Sequence, residues 1–194
     1  MENYKEPGWI EVITGPMFAG KSEELIRRVH RLDYGHRSYM VFKAAIDTRY
    51  SVVDVESHSH YKMKCQPIKK AEEILEYLKG KTVEVVAIDE VQFLNYEVVG
   101  ICDQLANAGI RVIVAGLDTD FRGEPFPVTA ALLAKAEFVT KLTAICVKCG
   151  APATMSQRLV DGKPASYDAP IIQVGAAESY EPRCRHCHEC KKAK

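Results

Sequence analysis

An eight-residue stretch, Gly15-Pro16-Met17-Phe18-Ala19-Gly20-Lys21-Ser22, constrains this chain more than any other. It fits G-x-x-x-x-G-K-[ST], a spacing with a physical purpose. Two glycines let the backbone turn its N–H groups inward around phosphate oxygens. The lysine adds a charge that reaches the outer phosphates, and the final hydroxyl is a ligand type for Mg²⁺. The flanks agree. Trp9-Ile10-Glu11-Val12-Ile13-Thr14 reads as a strand, and Glu23 to Val29 reads as the start of a helix. A chain with this element is expected to fold as an α/β protein and to bind a nucleoside triphosphate.

The rest of the chain continues that pattern. Leu25, Ile26, Val29 and Leu32 recur at helical spacing, with Gly35 as the stop. Ser38 to Lys43 reads as a second strand, with the polar loop Asp47-Thr48-Arg49-Tyr50 at its C-terminal end, where open α/β sheets place ligands. Arg49 is a candidate phosphate contact, with a solvated surface arginine as the competing reading. Residues 51–66 show no clear period and read as a loop or small hairpin, with His58 and His60 as surface residues. Residues 70–79 read as a short helix.

Val83 to Ile88 is a near-continuous apolar run, the mark of a strand buried on both faces of a parallel sheet, and it ends in Asp89-Glu90. A helix through Val98, Val99, Ile101, Cys102 and Leu105 leads to another buried strand, Arg111 to Leu117. A helix around Ala130 to Ala134 and a strand over Phe138 to Leu142 complete the alternation. Strand and helix in turn predict a parallel sheet flanked by helices.

The acidic pair supplies a second piece of chemistry. An acidic residue closing such a strand holds the Mg²⁺ that bridges the outer phosphates. Successive strand residues point to opposite sides, so the two are expected to divide the work. Asp89 is assigned to Mg²⁺ and Glu90 to the general base that accepts a proton from an attacking hydroxyl.

From Cys146 onward the helical period disappears. Five of the seven cysteines fall in this last quarter. Cys146-x-x-Cys149 and Cys184-x-x-Cys187 give four thiolates for a closed, structural zinc site. His186, His188 and Cys190 are spare ligand types, and one of them in place of Cys187 is the alternative. The long intervening segment, including Tyr167 to Gly175 and Tyr180, would be a loop tethered by metal at its base and suited to cover a small substrate. The division falls near Ala144, giving a nucleotide-binding domain over 1–144 and a zinc-binding domain over 145–194.

Composition narrows the partners. Lysine plus arginine equal aspartate plus glutamate at 26 each, so there is no basic excess of the kind a nucleic-acid surface needs. No apolar run reaches the length of a membrane span, and the N-terminal residues do not have the character of a signal peptide. The chain reads as cytoplasmic.

Taken together, these motifs resemble the thymidine kinase family of the small, zinc-containing type. The phosphate loop, Ile88-Asp89-Glu90-Val91-Gln92-Phe93, Gly116-Leu117-Asp118-Thr119-Asp120-Phe121-Arg122-Gly123, the two cysteine pairs and Glu178 to Arg185 carry the resemblance in order along the chain. It implies a P-loop NTPase-type sheet and transfer of the ATP γ-phosphoryl group to the 5′-hydroxyl of thymidine, with deoxyuridine as a second acceptor, giving dTMP in nucleotide salvage for DNA synthesis. It implies Glu90 as proton acceptor. ATP and Mg²⁺ would be served by Gly15 to Ser22, Asp47, Thr48, Arg49, Asp89 and Gln92. Thymidine would be surrounded by Met17, Phe93, Leu117, Phe121, Ile171, Ile172, Gln173, Val174, Gly175 and Tyr180. A homotetramer inhibited by dTTP is the implied assembly. A DNA-associated ATPase with a zinc module, and a nucleotide-sensing regulator without turnover, are the competing readings. The neutral charge and the lack of a basic stripe weigh against the first.

Overall fold

In the computed structural model, which describes residues 7–45, 54–56, 62–171 and 178–190, six strands form one parallel sheet. They are β1 (Trp9–Thr14), β2 (Tyr39–Ala44), β5 (Gln66–Ile68), β6 (Val85–Asp89), β7 (Arg111–Gly116) and β8 (Phe138–Lys141), in the spatial order β5-β2-β6-β7-β1-β8. Their pairing is parallel throughout. β6 is buried along its whole length, as its unbroken apolar run requires.

Helices cover both faces. α1 (Lys21–Tyr34) lays Leu25, Ile26, Val29 and Leu32 against Ile13, Val41, Val85, Ala87, Ile113 and Ala115. Helices α2 (Glu72–Leu78), α3 (Glu97–Asn107) and α4 (Pro127–Lys135) pack on the opposite face against Ile10, Val12, Val86, Ile88, Val112 and Val114. Glu23 and Glu24 sit in the first turn of α1, where the helix dipole favours negative charge, and Gly35 caps its end. Cys102 lies in the α3-side core, fully buried.

Of the two readings for residues 51–66, loop or small hairpin, the described part holds the hairpin. Within the described part, β3 (Asp54–Glu56) and β4 (Lys62–Lys64) pair antiparallel as a hairpin. The short β5 then joins the main sheet beside β2, a strand that three residues of weak periodicity could not announce. His58 and His60 lie outside the described residues.

Beyond β8, the chain turns to short antiparallel structure. β9 (Ala144–Ile145) pairs with β10 (Pro152–Ala153). β11 (Met155–Val160) is flanked by β12 (Lys163–Pro164) and β13 (Glu178–Arg183) in a second antiparallel sheet. Cys146, Cys184, Ala144 and Ala153 form a small buried cluster of their own. Among the described residues, no helix is long and apolar enough to cross a membrane.

Candidate active site

The phosphate loop closes the C-terminal end of β1. Thr14 Oγ donates to the main-chain oxygen of Gly116 at 2.9 Å, tying the loop's entry to the end of β7. Gly15 adopts φ 142°, and a Cβ there would come within 2.4 Å of the Leu142 carbonyl oxygen, so only glycine fits. The backbone turns left-handed at Phe18 and Gly20, the geometry that directs successive N–H groups into one concavity. Gly20 then caps α1, placing a helix N-terminus at the loop's exit. Lys21 Nζ donates to the Pro16 oxygen at 2.8 Å, curled over the loop it serves.

Ser22, in the first turn of α1 after β1, meets Asp89 at the end of β6 although β7 lies between β1 and β6. Ser22 Oγ donates to the Asp89 carboxylate at 3.1 and 3.3 Å. Asp89 is 2% exposed. Burial, and then the neighbouring Glu90 carboxylate, push its pKa up to about 7 against the pull of Lys43 and Ser22. Lys21 moves the other way. Burial lowers its pKa, while the carboxylates of Glu90, Asp89 and Asp118 oppose that fall. A hydroxyl and a buried carboxylate beside a half-sequestered ammonium form a site that a hard cation and a polyphosphate would satisfy.

Glu90 departs from the expected geometry. Strand alternation predicts Asp89 and Glu90 on opposite sides, but β6 ends at Asp89, and Glu90 sits at φ 55°, ψ 39°. Because Glu90 is left-handed and no longer part of the strand, the alternation does not apply to it. Its carboxylate lies near enough to help raise the Asp89 pKa and to oppose the fall of the Lys21 pKa. Such a conformation costs a non-glycine residue about 1 kcal/mol or more and persists only where the surroundings hold it. Immediately after it, the one-turn 3₁₀ helix Val91–Phe93 carries Gln92, whose Nε2 donates to Glu90 Oε2 at 2.6 Å.

Of the residues expected around an acceptor, Phe93, Leu117 and Phe121 lie beyond β6 and β7, while Met17 is on the phosphate loop, Tyr180 is on β13 and Ile171 lies between β12 and β13. Leu117 donates its N–H to Gln92 Oε1 at 3.1 Å. Phe93 packs edge-on against Phe126, with ring centroids 6.0 Å apart. Phe121 is buried in a loop braced by Asp120, whose carboxylate accepts the main-chain N–H groups of Arg122 and Glu124. Met17 donates its N–H to Ser156 Oγ on β11 at 3.0 Å, joining the phosphate loop to the second sheet. Tyr180, half-buried on β13, stands opposite Arg158 on β11. Ile171 is exposed.

Arg158 binds the described part of the expected lid, at Pro170. Its side chain is fully buried, its guanidinium carbon lies 5.1 Å from the Phe121 ring centroid, and Nη1 donates to the Pro170 oxygen. Arg122 similarly lies over the Tyr167 ring, and Tyr167 OH donates to Glu124 at 3.0 Å. Asp47, Thr48, Arg49, Ile172, Gln173, Val174 and Gly175 lie outside the described residues.

The four predicted cysteines converge. The sulfurs of Cys146, Cys149, Cys184 and Cys187 all lie within 4.8 Å of one another, and among the described residues they alone form a cluster of three or more such ligand types. Cys149 and Cys184 are 3.6 Å apart. A zinc tetrahedron with about 2.3 Å bonds has edges of about 3.8 Å, so these four thiols fit that metal. His188 is engaged elsewhere: its Nε2 lies 2.9 Å from the Phe121 oxygen.

Two participants are invisible to motif reading, since Ser156 and Arg158 belong to no spacing pattern. Asp118 lies within the Gly116 to Gly123 segment but has no role assigned from sequence. Asp118, 7% exposed, pairs with Lys141 at 3.0 Å and bears on Lys21 from the end of β7. Its position after a buried strand is the available signal, the same one that identifies Asp89.

Comparison with known proteins agrees with the motifs. The thymidine kinase family model matches residues 8–188, nearly the whole chain, so this chain belongs to the thymidine kinase family. It is therefore an ATP-dependent kinase. Among solved structures, it is similar to the genome packaging NTPase B204 of Sulfolobus turreted icosahedral virus 2. With the ATP-gammaS complex of that protein it shares 16% identity over 71% of this chain and 76% of that one, at a TM-score of 0.44. With the sulfate complex it shares 16% identity over 74% and 76%, at a TM-score of 0.43.

Proposed function

We propose that this member of the thymidine kinase family transfers the γ-phosphoryl group of ATP to the 5′-hydroxyl of thymidine, and of deoxyuridine, giving dTMP or dUMP in nucleotide salvage. The observation that carries the reading is the left-handed Glu90, set beside the phosphate loop and next to the Ser22–Asp89 pair. A base there accepts a hydrogen bond from a hydroxyl as it attacks phosphorus, and takes the proton from the reacting oxygen. The loop N–H groups and Lys21 hold the donor phosphates and stabilise charge that grows on them. Ser22 and Asp89 are the residues that would hold Mg²⁺, which would supply positive charge to offset that of the phosphates.

The acceptor side follows from membership of the family. Met17, Leu117, Phe121 and Phe93, with Tyr180 and the stretch from Ile171 to Gly175, form the surroundings of the base and sugar. Asp47, Thr48 and Arg49 complete the donor side in this reading. The four cysteines hold structural zinc that fixes the second unit, beginning near Ala144, against the phosphate loop. The active assembly is a cytoplasmic homotetramer inhibited by dTTP, with no nucleic-acid partner.

The test is product identification. Labelled ATP is incubated with each deoxynucleoside in turn, with and without single-stranded DNA. Labelled dTMP formed from thymidine, independent of DNA, is the expected result. Release of free phosphate stimulated by DNA, without a nucleotide product, would overturn it.

A further inference from the structure

Gln92 does two things at once. Its Nε2 donates to Glu90 Oε2 at 2.6 Å, and its Oε1 accepts the Leu117 N–H at 3.1 Å. The orientation of this amide is dictated by its partners. A main-chain N–H only donates and a carboxylate only accepts, so one rotamer of the carboxamide satisfies both. The side chain is 6% exposed, and a buried amide held at both ends is a fixed spacer.

The space for that spacer is made by Gly116, the last residue of β7. Its φ lies outside the left-handed range that favours glycine, so backbone freedom does not explain the residue. Room does. A Cβ at Gly116 would come 2.6 Å from Gln92 Oε1 and 2.9 Å from Val91 Cγ1. The family resemblance groups Gln92 with the nucleotide ligands. In the structure its carboxamide bonds instead to the proposed base and to the residue that begins the acceptor wall.

The geometry points to Gln92 as a positioning residue. It holds the Glu90 carboxylate in register with the Leu117 backbone, so that base and acceptor hydroxyl meet at a fixed separation, and Gly116 leaves the gap beside β7 that admits it. This inference rests on the proposed role of Glu90. In this role Gln92 acts through Glu90, whose carboxylate it binds, and not on the phosphates directly. Misplacing a reacting group by about 1 Å costs on the order of 100-fold in rate, so the effect belongs in kcat and not in donor binding.

The experiment compares Gln92→Met, Gln92→Glu and Gly116→Ala, and the double variant Gln92→Met with Gly116→Ala. Gln92→Met loses both bonds, while Gln92→Glu keeps an acceptor for Leu117 and sets a carboxylate against Glu90. Each is expected to lower kcat about 10- to 100-fold with unchanged ATP affinity in a direct binding titration. The double variant is expected to lose less than the two single losses combined, because the Cβ of Gly116→Ala meets the Gln92 side chain first, with Val91 beside it. Cooperative melting and retained ATP binding identify the folded variants, and Gln92→Glu carries the comparison where Gly116→Ala does not fold. Weakened ATP binding with kcat preserved, or additive losses in the double variant, would overturn the inference. Wild-type turnover of thymidine judges the function separately. The ratio of variant to wild type, taken with whichever deoxynucleoside the wild type phosphorylates, judges Gln92.

Discussion

His188 Nε2 lies 2.9 Å from the main-chain oxygen of Phe121, so the second cysteine knuckle is joined directly to the loop that carries a buried aromatic ring. A carbonyl oxygen only accepts, so Nε2 carries the proton in this bond. Arg158 faces the same ring from β11. Phe121 is thus fixed through its backbone by one arm of the cysteine-bearing unit and through its ring by another. That arrangement would let the cysteine cluster support the proposed acceptor side without touching it.

His188→Ala is therefore expected to raise KM for thymidine about 2- to 10-fold, the worth of one hydrogen bond. Zinc content should not change, because His188 lies outside the four-sulfur cluster. Cys149→Ser should lower bound zinc and raise the same KM further. Metal analysis beside steady-state kinetics checks both. An undiminished zinc content in Cys149→Ser would refute the ligand assignment.

Glu90→Gln preserves the shape of the side chain and removes the base. Its kcat should fall about 10²- to 10⁴-fold. ATP should still bind, since the loop N–H groups, Lys21, Ser22 and Asp89 are untouched. Single-turnover transfer to thymidine, with a nucleotide titration alongside, makes the measurement. Full activity in this variant would remove Glu90 from the mechanism.

Glu11 gives the fold a pH dependence. Its carboxylate, 8% exposed, meets Arg111 at 2.6 Å and Arg28 at 2.7 Å, and accepts the Trp9 indole N–H at 2.7 Å. Burial pushes its pKa up, but bonds from Arg111, Trp9 and Arg28 outweigh this and hold it below the ordinary value of 4.5. A carboxyl whose pKa is lowered in the folded state stabilises above its unfolded pKa. That stability is lost as pH falls through the folded value. Glu11→Gln should cost about 3 kcal/mol near neutral pH, as breaking a buried ion pair does. The melting temperature of the variant should also fall less steeply than that of the wild type below about pH 4.5, the ordinary carboxyl range. Parallel melting curves with an unchanged pH profile would show that the network contributes nothing.

The cysteines should divide by reactivity. Burial pushes the Cys102 thiol up to about 12, and its side chain is fully buried. It is expected to resist alkylation in the folded protein. Cys149 is exposed and should react once a chelator has stripped the cluster. Mass mapping after iodoacetamide, with and without chelator, distinguishes the two. Labelling of Cys102 before global unfolding would contradict its place in the core.

The phosphate loop, the strand ending at Asp89 and the paired cysteines are legible because each is written in local spacing. A strand buried on both faces must be apolar throughout, and two C-x-x-C turns present thiols whatever surrounds them. β5 is not legible, because three residues carry too little periodicity and its place in the sheet comes from pairing with β2. Nor is the direction of Glu90, because alternation holds only while a strand continues. Where β6 stops depends on the 3₁₀ turn that begins at Val91 and on the Gln92 amide that binds the Glu90 carboxylate.

What the sequence by itself determined is the inventory: a donor loop, an acidic pair, four thiols and the order in which they come. Tertiary structure decided which of them cooperate. Ser22 reaches Asp89 across an intervening strand, Met17 meets Ser156 at a separation of 139 residues, and Gln92 bridges Glu90 to Leu117 only because Gly116 leaves room. Local spacing encodes the turns and periods of a chain, which short-range sterics enforce. Contacts between distant segments depend on how whole elements pack, and no short window of residues contains that information.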